Sequence, residues 1–194
     1  MFSKLSEQMT RSLENKGTIQ SENRELYRYG FEQGFIMLLN LVTTLVIGLL
    51  FGKVLQLCLF MAAYIPLRSY AGGYHAKTPF RCYLLSIIIL TAVTLCMKYL
   101  VLDNIVYYLM IVISGAVILL LSPVEDKNKP LDEKEIQVYK KRTVAILIFE
   151  MILFIVMNFL NLQMFSVSIC YAMVMLGILL ILGLIKNIIS NKTK

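Results

Sequence analysis

Tryptophan is absent from the 194 residues, and histidine occurs once, as His75. The four cysteines, Cys58, Cys82, Cys96 and Cys170, show no paired spacing and no Cys-x-x-Cys. One histidine with scattered cysteines cannot build a zinc site, so a metalloprotease is excluded and neither metal nor cofactor is expected. The same spacing implies no disulfide framework. Three of the four cysteines lie inside apolar runs, where a cysteine is a small buried hydrophobe. No internal repeat and no low-complexity segment stands out. Residues 1–30 are polar and amphipathic, with no apolar h-region, so no secretory signal peptide is expected.

Apolar side chains are abundant. They make up 58% of the chain, and the mean hydropathy is +0.73. A soluble domain is nearer half apolar. These residues come in long runs instead of spaced stripes, which predicts an all-α, polytopic integral membrane protein. Six spans are expected, at about 31–51, 54–70, 83–99, 104–121, 144–161 and 164–185. Three of the links between them are very short and imply helical hairpins. The two long links are 71–82 and 122–143, and 186–194 forms a tail. The chain thus reads as a single membrane domain, its six-helix region spanning 31–185. In residues 1–29, Phe2, Leu5, Met9 and Leu13 recur at helical spacing and Gly17 interrupts. A second short helix is expected from Ser21 to Tyr29, and both should lie on the membrane surface. The 11 tyrosines can serve as interfacial anchors.

A net charge of +7 raises nucleic acid as a partner, but the placement of the charge argues against it. Of the 19 Lys and Arg, 17 fall in the N-terminal segment, the two long links (with Arg68 at the edge of the first) and the tail; only Lys53 and Lys98 fall on the other face. That bias puts both termini and both long links in the cytoplasm, and makes the charge a topology signal first. A basic face toward anionic lipid or an acidic partner is the second reading. Pro66 should kink or loosen the end of the second span. Asn40, Gln56, Glu150 and Asn158 are polar positions within spans. Glu150 is the costly one, either orienting His75 or meeting substrate, or packing between helices.

The stretch Arg68–Cys82, RSYAGGYHAKTPFRC, is the polar interruption that carries chemistry. An unbroken helix would separate His75 and Cys82 by roughly 10 Å along its axis. Pro79 forbids that helix, and Thr78 before it is biased to an extended shape. The chain can therefore fold back and bring His75 beside Cys82. Thr78 is a good N-cap for the next helix and Pro79 suits its first position. Cys82 then falls in or just past the first turn, where unpaired N–H groups and the helix dipole favour negative charge. A cysteine so placed beside a histidine is a thiol nucleophile with a general base, and Arg81 adds positive potential. Gly72-Gly73 lets the backbone turn left-handed or approach a ligand closely. These residues point to acyl transfer or hydrolysis without naming a substrate.

With SPVEDKNKPL at 122–131, the same stretch resembles the AgrB family, the accessory gene regulator membrane peptidases of Gram-positive quorum sensing. The resemblance covers essentially the whole chain. It implies a cysteine endopeptidase in the bacterial cell membrane, acting on a short AgrD-type precursor peptide and promoting thiolactone cyclisation. By that resemblance Cys82 is the nucleophile and His75 the general acid/base, both on the cytoplasmic side. Arg68 and Gly73 match supporting loop positions. Lys127 and Lys129 match part of a basic cluster, interrupted here by Asn128. The lipid bilayer and a second copy in a homodimer are the other partners implied. Two rival readings stay open: a transporter or channel, with Glu150 and Pro66 as its clues, and a non-catalytic membrane scaffold.

Overall fold

The computed structural model describes residues 3–74, 76, 78–125 and 131–192. His75, Lys77, Lys127 and Lys129 lie outside the described residues. Seven α-helices follow in order: α1 (Ser3–Asn15), α2 (Arg24–Phe51), α3 (Val54–Ala71), α4 (Pro79–Tyr99), α5 (Asn104–Leu121), α6 (Glu133–Phe159) and α7 (Gln163–Lys192). Among the described residues there is no β-strand. Six of these helices, α2 to α7, are long and apolar enough to cross a membrane, and this is a membrane protein.

The bundle is organised around α7. In its most apolar window 61% of residues are buried within the molecule, against 17–28% for the other five spans. Its apolar residues run all round the helix, and such a helix is stable only when surrounded. Cys170, Ala172, Met173, Leu176 and Leu180 are fully enclosed. Helices α3, α4, α5 and α6 pack on it, and α2 packs on α3 and α4 at the periphery. The outward faces of the peripheral helices carry leucine, isoleucine and valine, such as Leu49, Leu50 and Leu120, as lipid requires.

Tight hairpins join α2 to α3, α4 to α5, and α6 to α7, as the short links imply. Gly52 ends α2 in the left-handed conformation (φ 68°) and Asn161 turns between α6 and α7 (φ 58°). Three helices are longer than their apolar runs. The surface helix expected at Ser21–Tyr29 is instead a 3₁₀ turn, Ser21–Asn23, running straight into α2. Nothing between Arg24 and Phe31 breaks a helix strongly enough to separate the two. Helix α6 starts at Glu133, eleven residues before its apolar run, because Asp132 and Glu135 form a capping box. Helix α7 continues through the tail to Lys192.

Helix α1 is the expected amphipathic segment, ended at Gly17 (φ 68°). It packs on α2, and its Ser6 and Thr10 are fully buried. Leu5 and Met9 stay exposed on its apolar side. Arg24, at the start of α2, pairs with Glu7 at 3.2 Å and Glu14 at 3.8 Å.

Candidate functional site

Helix α3 continues through Pro66 and stops at a glycine pair. Gly72 has φ +75° and Gly73 φ +120°, conformations that a side chain resists. The backbone leaving α3 is then sewn to two neighbours. Val124 N–H donates to Ala71 O at 2.9 Å and Gly73 N–H to Val124 O at 3.4 Å. Tyr74 N–H donates to Leu179 O of α7 at 2.8 Å. A Cβ on Gly72 would run into the Val124 carbonyl oxygen. A Cβ on Gly183 of α7 would stand 2.8 Å from both Gly73 C and Tyr74 N. Glycine at all three places lets the loop thread between α7 and the segment after α5.

Arg68, in the last turn of α3, folds over this loop. Its Nη2 donates to Tyr74 O at 2.7 Å. Its guanidinium lies 5.8 Å from the centre of the Tyr64 ring, one helical turn back. Its Nη1 is buried and has no hydrogen-bond partner among the described residues. The missing Cβ of Gly73 makes room for it, since that atom would lie 3.2 Å from Nη1. Gly73 and Arg68 are thus one device, with glycine providing the face on which the guanidinium rests.

Helix α4 begins as expected. Thr78 is extended (φ −134°, ψ 149°), its Oγ1 accepts from Arg81 N–H at 3.3 Å, and Pro79 is the first helical residue. Cys82 is fourth, and its N–H makes the first intrahelical bond, to Thr78 O at 3.0 Å. The thiol is free and half-buried. Ser86 Oγ donates to Cys82 O at 3.1 Å. Next to the cysteine, Tyr83 and Thr43 of α2 share a hydrogen bond of 2.8 Å. Thr43 Oγ1 already donates to Leu39 O, so the phenol is the donor.

These pieces surround a cavity of about 760 Å³, within the usual size range of ligand sites. Its walls come from α2 (Met37, Asn40), α3 (Tyr64, Arg68) and α4 (Cys82, Ser86). Val124, Glu125, Leu131 and Tyr139 line it from the link after α5 and the start of α6. Asn40 Oδ1 is buried there without a hydrogen-bond partner among the described residues. Tyr74 and Ala76, the residues on either side of His75, line a smaller hollow with Arg81, Leu84 and Ile88, on the α4 face next to that of Cys82.

Of the sequence-predicted residues, Arg68, Gly73 and Cys82 converge. His75, Lys127 and Lys129 are the ones outside the described residues. Glu150 is not on the cavity. It stands eleven residues beyond Tyr139 on α6, about 16 Å further along the axis. It lies in the buried stripe Thr143, Leu147, Glu150 and Phe154, which favours its helix-packing reading. Two basic residues of the long link are committed within the fold. Lys140 Nζ donates to the carbonyls of Leu119 and Ser122 at the end of α5. Arg142 Nη1 donates to Tyr70 Oη at 3.0 Å. Tyr64 and Gly183 escaped the sequence reading, and Asn40 was visible only as a polar residue in a span. Tyr64 had a signal, its i, i+4 spacing to Arg68.

The family model for accessory gene regulator B matches residues 6–185. A putative AgrB-like protein of Clostridium perfringens (strain SM101 / Type A) is 30% identical over 159 residues, covering 76% of this chain and 72% of that one. Putative AgrB-like protein 2 of Clostridium perfringens (strain 13 / Type A) is 27% identical over the same coverage. Protein FsrB of Enterococcus faecalis (strain ATCC 47077 / OG1RF) is 30% identical over 174 residues, covering 89% of this chain and 70% of that protein. No solved structure matches. Six spanning helices and a match along nearly the whole chain lead to one conclusion: this membrane protein belongs to the accessory gene regulator B family.

Proposed function

We propose that this protein of the accessory gene regulator quorum-sensing system is a cysteine endopeptidase that cuts a short AgrD-type precursor peptide. The observation that carries the reading is the free Cys82 thiol at the head of α4, in a cavity large enough for a peptide segment and shared with Arg68. His75 follows Tyr74, whose N–H and C=O are both held. The site faces the cytoplasm, in keeping with 17 of 19 Lys and Arg on that side.

In the first step His75 takes the Cys82 proton, and the thiolate forms a bond to the scissile carbonyl carbon. The carbonyl electron pair moves onto oxygen. When it returns, the C–N bond breaks and the departing amine takes the proton from His75. The C-terminal part of the precursor leaves, and the remainder is a thioester on Cys82. A cysteine within the peptide then attacks that thioester, closes a thiolactone ring and returns its proton to the Cys82 sulfur. One thioester replaces another, so the second step needs no energy source. Lys127 and Lys129 attract an acidic tail of the precursor toward the site.

The test is cleavage in lipid nanodiscs of a synthetic precursor taken from the neighbouring reading frame. Cys82→Ala and His75→Ala should lose cleavage, and alanine at Cys58, Cys96 or Cys170 should retain it. Cleavage by Cys82→Ala at the wild-type rate would refute the reading.

A further inference from the structure

The start of α4 has few donors to offer a developing oxyanion. A helix begins with three or four unpaired N–H groups. Here Pro79 has none, Arg81 gives its own to Thr78 Oγ1, and Cys82 gives its own to Thr78 O. Phe80 is the one left. An oxyanion site works with two or more fixed donors, so another group is needed.

Arg68, which lines the same cavity, carries an N–H group with no acceptor among the described residues. Arg68 Nη1 is shielded from solvent and unpaired among the described residues, while Nη2 pins the other side of the guanidinium to Tyr74 O at 2.7 Å. Leaving a charged donor unsatisfied in a dry place is costly. Two features hold it there: Gly73, whose hydrogen leaves the space, and the Tyr64 ring at 5.8 Å. A group kept in want of a negative oxygen gains most when that oxygen carries charge, which is the transition state and not the bound substrate. Because the lining is mostly apolar, a charge-assisted bond is worth more than it would be in water.

We propose that Arg68 is a catalytic residue whose Nη1 donates to the oxyanion formed when Cys82 attacks the precursor carbonyl. The proposal rests on the cysteine-peptidase reading above. In this proposal the guanidinium turns about its bond to Tyr74 O so that Nη1 faces the cavity that Arg68 and Cys82 both line. As the carbonyl electron pair moves onto oxygen, Nη1 stabilises the charge; as the pair returns and the C–N bond breaks, the hydrogen bond weakens again. No proton leaves the guanidinium, which stays charged throughout.

The experiment compares wild type, Arg68→Gln and His75→Ala, full length in nanodiscs, with the same synthetic precursor. Single-turnover acylation of Cys82 is followed from pH 7 to 9.5, and precursor affinity is measured on the Cys82→Ala background. Arg68→Gln should acylate about 10²–10³-fold more slowly, the usual loss for one oxyanion donor. Affinity should change by less than about threefold, since the interaction belongs to the transition state. The deficit should persist across the pH range. In His75→Ala the deficit should shrink as pH rises, because hydroxide can take the thiol proton in place of the missing imidazole. Recovery of Arg68→Gln at high pH would mean that Arg68 merely positions His75 through Tyr74, and would overturn the proposal. An equal loss of affinity and rate, or an unchanged rate, would also overturn it. If wild type forms no acyl-enzyme at all, the peptidase reading itself fails, an outcome distinct from the others.

Discussion

Arg68 reaches across the loop to Tyr74, donating to its carbonyl oxygen at 2.7 Å one residue before His75. The last turn of α3 thereby holds the backbone that leads into the histidine, while Cys82 comes from the next helix. On the other side, Tyr74 N–H is held by α7 at 2.8 Å. The loop is fastened to the central helix of the bundle, which the lipid-facing helices cannot displace without breaking the core.

That fastening depends on two glycines far apart in sequence. Gly183→Ala would place a methyl 2.8 Å from Gly73 C and Tyr74 N, and Gly73→Ala would strain a backbone at φ +120° and crowd Arg68. Such strain costs about 1–3 kcal/mol and here falls on the loop. Both variants should lower precursor cleavage at least about tenfold and leave the helix content unchanged by circular dichroism. Full activity in Gly183→Ala would show that the loop does not need its seat on α7.

The basic residues of the second long link should separate into two groups. Lys140 caps the carbonyls at the end of α5, an arrangement worth about 0.3–1 kcal/mol. Lys140→Met should lower thermal stability and leave the salt dependence of cleavage as it was. Replacing Lys127 and Lys129 by Glu should weaken cleavage more at low salt than at high, because long-range attraction of an acidic tail is screened over about 8 Å at physiological ionic strength. Cleavage indifferent to that pair at every salt concentration would leave the cluster with topology alone.

The charge asymmetry makes its own forecast. Single cysteines at Lys53, Asp103 and Asn161, in the three hairpin turns, should react with a membrane-impermeant thiol reagent added outside intact cells. A cysteine at Arg81 or Glu133 should not. External labelling at Glu133 would reverse the orientation.

Thr78 offers a smaller, graded test. Its Oγ1 caps α4 four residues before Cys82. Losing a cap costs about 1 kcal/mol, so Thr78→Ala should lower both stability and cleavage, and Thr78→Ser should restore both.

Much of this was legible before any fold was drawn, and the reason differs by residue. The apolar runs announce six spans because lipid demands continuous apolar length. Thr78-Pro79 announces a helix start because the chemistry of caps is local. Asp132 and Glu135 carry the same kind of local signal for α6, and the capping pattern outweighs the end of the apolar run. Where Asn40, Tyr64 and Gly183 point is not local. It depends on how α2, α3 and α7 are rotated about their axes, which packing on α7 decides. Glu150 shows the converse: a conspicuous residue whose depth on α6 keeps it away from the cavity.

Everything turns on Cys82 becoming acylated. A precursor whose internal cysteine is replaced by alanine cannot close its ring, so on the proposed mechanism the wild-type protein should hold it as a thioester or release it linear. Intact-mass measurement of the protein, quenched in acid, should show a covalent adduct equal in mass to the acyl portion of the peptide. The adduct should be absent in Cys82→Ala and persist when Cys58, Cys96 and Cys170 are all alanine. Cleavage of the precursor with no adduct in wild type, or with the adduct still present in Cys82→Ala, would contradict the account.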